Sequence, residues 1–117
     1  MKSILIADPD TSARNALKLI LKHRFNVGHI CEAGDVETLI RSLADCPPDL
    51  LLLDWSLYGA PAPETCQLLR KAYPALQIIL LSADANDIVA AQKANAFFIH
   101  KGDAPEQFIT MLAPLFS

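Results

Sequence analysis

Asp49-Leu50-Leu51-Leu52-Leu53-Asp54 decides the fold. Four consecutive leucines without polar alternation read as a strand covered on both faces, and the carboxylate after them stands where that strand leaves the core. Three other short apolar runs end on a polar residue in the same way: Ile4-Leu5-Ile6-Ala7 before Asp8, Ile78-Ile79-Leu80-Leu81 before Ser82, and Phe97-Phe98-Ile99-His100 before Lys101. Strands are expected near 3–7, 27–32, 49–53, 77–82 and 97–100.

The segments between them carry apolar residues at a helical period. The first helix starts on the cap-like Asp10-Thr11-Ser12, turns Ala13, Ala16, Leu17, Ile20 and Leu21 inward, and closes with Lys22, His23 and Arg24 at its negative end. The second follows Asp35 with Val36, Leu39, Ile40 and Leu43 on one face. The third runs from Pro63 to Tyr73, buries Cys66, Leu69 and Tyr73, and stops before Pro74. The fourth, 85–94, is rich in alanine, has only Ile88 and Val89 as sizeable anchors, and is expected to pack least firmly. The fifth aligns Phe108, Met111, Leu112 and Leu115 after Pro105. Strict alternation of strand and helix implies one doubly wound α/β domain over residues 1–117, with parallel strands, right-handed crossovers and helices on both faces. Ligands of such sheets sit beyond the carboxyl ends of the strands, where Asp8, Asp54, Ser82 and Lys101 project.

Composition narrows the function. At 117 residues and 52% hydrophobic content the chain supplies a core of its own. A net charge of −3 without runs of like charge gives no footprint for nucleic acid, and no apolar stretch approaches a membrane span or a signal sequence, so a cytoplasmic protein is expected. Cys31, Cys46 and Cys66 are odd in number and widely spaced, which argues against a disulfide framework or a zinc site. His23, His29 and His100 lack the spacing of paired metal ligands.

Two ionised carboxylates about 4 Å apart repel by roughly 4 kcal/mol at an effective dielectric near 20, so Asp8 and Asp54 call for a cation between them. Mg²⁺ is the natural one, because it prefers oxygen ligands and binds phosphate oxygens together with one or two carboxylates. A lysine and a hydroxyl facing them complete an electrostatic clamp for a phosphoryl group, with one carboxylate as nucleophile.

Taken together, Ile4-Leu5-Ile6-Ala7-Asp8, Asp49 to Asp54, Ile79-Leu80-Leu81-Ser82-Ala83 and Phe98-Ile99-His100-Lys101 resemble the receiver domain of bacterial two-component response regulators over essentially the whole chain. The resemblance implies a flavodoxin-like sheet of order 2-1-3-4-5 and a non-enzymatic switch. In it Asp54 accepts a phosphoryl group from a histidine kinase or phosphotransfer protein, and Asp8, Asp54 and the backbone carbonyl of Ser56 hold Mg²⁺. Ser82, Ala83 and Lys101 would contact the phosphoryl group, with Ser82 and Phe98 as the switch pair. The face of the fourth helix, fifth strand and fifth helix would then meet partners, a second copy included, with no membrane or nucleic-acid contact by this domain itself. The chain is expected to be either a stand-alone receiver or part of a longer regulator, in which case a DNA-binding output region would lie outside this domain.

Several positions depart from the family pattern. Pro9 stands where a second acidic residue is usual, which implies a weakened Mg²⁺ site, and Asp10 is expected to cap the first helix instead. Tyr58 and Ala62 replace a usual proline and glycine, and Gly102 follows Lys101 where proline is common, which is expected to loosen that turn. These departures motivate an alternative, a pseudo-receiver that binds partners without phosphorylation. A remoter one is a haloacid-dehalogenase-type phosphohydrolase, whose D-x-D opening Asp8-Pro9-Asp10 also resembles, although that reading leaves Asp54 without a role.

Overall fold

The four leucines of the central strand are completely buried in the computed structural model, which describes residues 1–116. The strands are β1 (Lys2–Ala7), β2 (Val27–Ala33), β3 (Leu50–Asp54), β4 (Gln77–Ser82) and β5 (Phe97–His100). All pair in parallel in the order β2-β1-β3-β4-β5. The helices between them are α1 (Thr11–Arg24), α2 (Val36–Asp45), α3 (Ala62–Ala72), α4 (Ile88–Lys93) and α5 (Pro105–Leu112). Short 3₁₀ turns precede α4 at Ala85–Asp87 and follow α5 at Ala113–Phe116.

Alternation along each strand separates two cores, as a period of two demands. Leu5, Ala7, Leu51, Leu53, Ile78 and Leu80 face one way, onto Leu39 and Leu43 of α2, Cys66 and Leu69 of α3 and Ala91 of α4. Ile4, Ile6, Leu50, Leu52, Ile79, Leu81 and Ile99 face the other, onto Leu21 of α1 and Phe108 and Leu112 of α5. Each fully buried leucine contributes about 1.5–3 kcal/mol of apolar transfer, so a strand covered on both sides anchors both layers at once.

Local chemistry sets the helix starts. The Asp10 carboxylate accepts from the Ser12 N–H at 2.9 Å and that of Asp35 from the Thr38 N–H at 2.7 Å, satisfying donors that a helix terminus leaves free. α3 begins at Ala62, one residue before the expected Pro63, with no side-chain cap. The helix faces are narrower than the sequence periodicity suggests: Ala16, Ile40 and Met111, expected inside, are exposed. The largest correction is α4. Its inward residues are Ala91 and, at its end, Ala94, while Ile88 and Val89 are 41% and 55% exposed. The Ala94 carbonyl lies 3.9 Å from Cys66 Sγ on α3, a close approach at the end of the helix. No helix among the described residues is long and apolar enough to cross a membrane.

Candidate functional site

Three strand tips meet around one ammonium. Lys101, just past β5, donates through Nζ to Asp8 Oδ2 at 3.0 Å, and the same nitrogen contacts Asp54 Oδ1. Asp8 and Asp54 are 2% and 3% exposed, so their charges are held out of water and depend on this cation. Burial by itself would lower the Lys101 pKa. The hydrogen bonds and charges of Asp54 and Asp8 outweigh it and hold the group above its ordinary value.

The remaining carboxylate oxygens are also satisfied. Asp8 Oδ1 accepts the Asp10 N–H at 2.8 Å, closing a turn with Pro9 at its middle. Asp54 Oδ2 accepts the Ser56 N–H at 3.0 Å and the Ser56 hydroxyl. β3 is fixed behind Asp54 because the Trp55 N–H donates to the Leu81 carbonyl at 2.8 Å, and the Lys101 N–H is fixed on the Ser82 carbonyl at 2.7 Å.

Ser82 lies at the next tip but is turned to another partner. Its hydroxyl donates to Asp87 Oδ2 at 2.6 Å and accepts the Asp84 N–H at 3.0 Å. Asp84, not Ser82, caps the turn before α4, through the Asn86 N–H at 2.9 Å. Ala83 is exposed, and its carbonyl lies 3.0 Å from His100 Nε2. Phe98 is half-buried and meets Trp55 edge to face at 6.5 Å.

Sequence reasoning missed three side chains here. Arg14 of α1 donates through Nη1 to the Asp8 carbonyl at 2.5 Å and through Nε to Glu32 at 3.0 Å, which puts a second cation at the site's rim. Asp87 holds the Ser82 hydroxyl, and the Ser56 side chain joins its backbone at Asp54. The acidic residue five places after Ser82 was the one available signal for Asp87. Gly102 is no loose joint: a Cβ there would fall 2.8 Å from His100 Cε1, and the Asp103 N–H closes the turn on the His100 carbonyl at 3.0 Å. The Asp10 carboxylate stays on α1, so Asp8-Pro9-Asp10 does not converge as a pair of catalytic acids.

The family model for the response regulator receiver domain matches residues 4–113. The chain belongs to the receiver domain family. It is 36% identical over 89 residues to the transcriptional regulatory protein AfsQ1 of Streptomyces coelicolor, a match covering 75% of the chain and 38% of that relative. The chain thus corresponds to well under half of that protein's length. Among solved structures, the isolated receiver domain of RcsB from Salmonella enterica serovar Typhimurium, with the phosphomimetic BeF₃⁻, aligns at a TM-score of 0.90. Its identity is 22%, with 97% of this chain and 87% of that one covered. A CheY-like receiver protein from Methanospirillum hungatei aligns at 0.84 with 22% identity, covering 99% and 94%. At such identities the structures establish the fold alone. Receiver domains as a family are non-enzymatic signalling modules that meet histidine kinases or phosphotransfer proteins and generally bind Mg²⁺ in their acidic pocket.

The donors of this receiver domain suit Mg²⁺ in part. Asp8 and Asp54 bring two buried carboxylates together, with Pro9 where a third acidic residue is usual, and the Lys101 ammonium already neutralises half of their charge. A dication held by Asp8 and Asp54 would have to displace or share that ammonium.

Proposed function

We propose that Asp54 accepts a phosphoryl group from a phosphohistidine donor and that the domain switches a partner-binding face in response. The observation that carries this reading is the contact of one ammonium with both buried carboxylates, Lys101 with Asp8 and Asp54. An Asp54 oxygen attacks phosphorus, the P–N bond breaks, and the imidazole nitrogen leaves with its electron pair and takes up a proton. Mg²⁺, held by Asp8, Asp54 and the Ser56 carbonyl, supplies charge neutralisation to the phosphoryl oxygens when bound. Lys101, with three donors, is suited to hold one of those oxygens while keeping Asp8.

Switching follows from competition for a single proton. The Ser82 hydroxyl now donates to Asp87, and a new phosphoryl dianion beside it is a rival acceptor. Transfer of that hydrogen bond releases Asp87 at the start of α4 and changes the face carried by α4, β5 and α5. Ile88, Val89, Phe97 and Met111 are exposed on those elements and suit an apolar partner, a second copy included. A cytoplasmic, reducing setting goes with this reading.

The test is incubation with a small phosphodonor and Mg²⁺, followed by intact mass. One phosphoryl group is expected on the native chain and none on Asp54→Asn. An unchanged native mass under conditions that label an ordinary receiver rejects the proposal. It would favour the second reading, a phosphorylation-independent interaction module, which Pro9 in place of a second acidic residue supports. Trp55 adjoins Asp54 and reports on metal: a flat Mg²⁺ titration of its fluorescence into the millimolar range also favours that second reading.

A further inference from the structure

Three soft ligand side chains converge at the outer edge of the sheet, remote from the acidic strand tips. β2 is the edge strand, and between the pairs Lys2–Val27 and Ile4–Ile30 it carries one residue more than β1. That bulge lets Val27 and Ile30, three residues apart, both pack on the α1–α5 core. It leaves His29 and Cys31, two residues apart, together on the α2 side, where Cys31 packs beside Leu39 and Leu43. α2 then stops on Cys46, whose N–H closes on the Ser42 carbonyl at 2.8 Å ahead of Pro47-Pro48. The helix end therefore sets Cys46 Sγ 3.4 Å from Cys31 Sγ, and a ligand nitrogen of His29 lies within 4.8 Å of both sulfurs.

Spacing in the sequence spoke against metal here, and the bulge and the helix end overturn that argument. The Cys31 and Cys46 thiols hydrogen-bond to each other, and the His29 imidazole has no hydrogen bond or ion pair among the described residues. Burial first, and then the hydrogen bond and charge of Cys46, push the Cys31 thiol above its ordinary pKa. Two thiolates this close are stable only with a cation between them. His29 is exposed and both cysteines are half-buried, so an ion reaches the cluster from solvent.

We propose that His29, Cys31 and Cys46 bind a thiophilic divalent cation, with Zn²⁺ as the fitting ion, through two thiolates and one imidazole, leaving a fourth position to water. Zinc–sulfur bonds of about 2.3 Å in a tetrahedron separate two sulfurs by about 3.8 Å, so the pair opens by only roughly 0.4 Å. The exposed His29 ring swings in by about 1 Å to reach its bond length. Charge and atoms balance: two S–H bonds break, two Zn–S bonds form, and two protons leave to solvent. Mg²⁺ does not compete, because it demands oxygen donors. The ion ties the edge strand to the end of α2 and leaves Asp8 and Asp54 untouched.

The test uses the metal-free chain kept reduced with a phosphine, with Zn²⁺ and Co²⁺ as probes. Native mass spectrometry is expected to show one Zn²⁺ per chain with two protons lost. Co²⁺ should give the thiolate charge-transfer and strong ligand-field bands of a tetrahedral site, abolished by Zn²⁺. Cys31→Ser and Cys46→Ser remove the charge-transfer band, and His29→Ala weakens binding roughly tenfold or more, while Cys66→Ser and Asp54→Asn retain it. In the unmutated chain, Zn²⁺ shields Cys31 and Cys46 from alkylation, a readout free of folding defects in the variants. Zinc binding that survives in Cys31→Ser/Cys46→Ser but is lost in Asp8→Asn would overturn the proposal in favour of the acidic pocket. Alkylation of both thiols at equal rates with and without Zn²⁺ would overturn it outright, as would a Cys31–Cys46 disulfide that binds no metal once reduced.

Discussion

Replacing Lys101 with methionine keeps the side-chain stem and removes the one charge that separates Asp8 from Asp54. One oxygen of each carboxylate contacts the same nitrogen, that of Asp8 at 3.0 Å, so without it the two face each other with no cation between them. For a separation of ~5 Å and an effective dielectric near 20 that repulsion is roughly 3 kcal/mol. The Lys101 side chain is 32% exposed, so water enters the gap, and the net loss is expected at about 1–2 kcal/mol near neutral pH. The deficit has a pH signature. Repulsion needs both carboxylates ionised, so the penalty is present near neutral pH and is relieved under acid conditions that protonate one of them. Urea unfolding followed by Trp55 fluorescence, in a metal chelator, should show Lys101→Met well below the native chain near neutral pH and approaching it at acid pH. Lys101→Met/Asp8→Asn should recover most of the loss. Without the chelator, Mg²⁺ should stabilise Lys101→Met more than the native chain, because no ammonium competes. A deficit of equal size at both pH values, unrelieved by Asp8→Asn, would refute the charge argument and leave only lost packing.

Asp87→Ala removes the acceptor of a hydroxyl whose residue is 3% exposed, and should cost about 1–3 kcal/mol in the same urea assay, with Ser82→Ala/Asp87→Ala recovering part of it. Glu32 is held below its ordinary pKa chiefly by its Lys18 hydrogen bond and also by Arg14, against the opposing effect of burial. Its stabilisation is present above the unfolded pKa of about 4.3 and is lost as pH falls through the lower folded value, so Glu32→Gln should flatten the stability profile there by under about 1 kcal/mol. Gly59 has φ of +119° and a Cβ there would lie 2.9 Å from Val36 Cβ, so Gly59→Ala should cost about 1–3 kcal/mol, read as a lower thermal midpoint.

The fold was legible because the apolar runs of β1, β3 and β4 admit no other reading. Strands buried on both faces need no inference about which face is which, and their polar ends mark the sheet edge directly. Helix faces were less legible, since a periodic apolar stripe is wider than the strip that touches the sheet. Ile40 and Met111 lie at the margin of theirs and stay outside. α4 misled for a different reason: hydrophobicity pointed to Ile88 and Val89, whereas close approach selected the small Ala91 and Ala94. At the site, Asp8, Asp54 and Lys101 were foreseeable because each terminates or adjoins a strand whose position is set by backbone pairing. Asp87, Arg14 and the Ser56 hydroxyl were not, because their roles depend on side-chain conformations within loops and first helical turns. The His29, Cys31 and Cys46 cluster escaped because one extra residue in β2 decides which side His29 and Cys31 share, and the end of α2 sets Cys46 beside them.

The missing acidic residue and the crowding of cations at this site belong together. Pro9 occupies the middle of a turn that the Asp10 N–H closes onto Asp8, and the first turn of α1 brings the Arg14 guanidinium onto the Asp8 carbonyl. Two buried carboxylates and one ammonium leave a net charge of −1, where a third carboxylate would leave −2 and attract a dication more strongly. In the native chain the Lys101 ammonium offsets part of the charge of Asp8 and Asp54, a part that Mg²⁺ would share in a fully acidic site. Such balance weakens the attraction for a metal ion and, by the same Coulomb term, would ease the approach of a phosphorylated donor of the kind proposed, whose dianion would meet a single residual negative charge. What the exchange of a carboxylate for Pro9 alters is the charge that Asp54 must work against, and its place at the end of the leucine strand is unaffected.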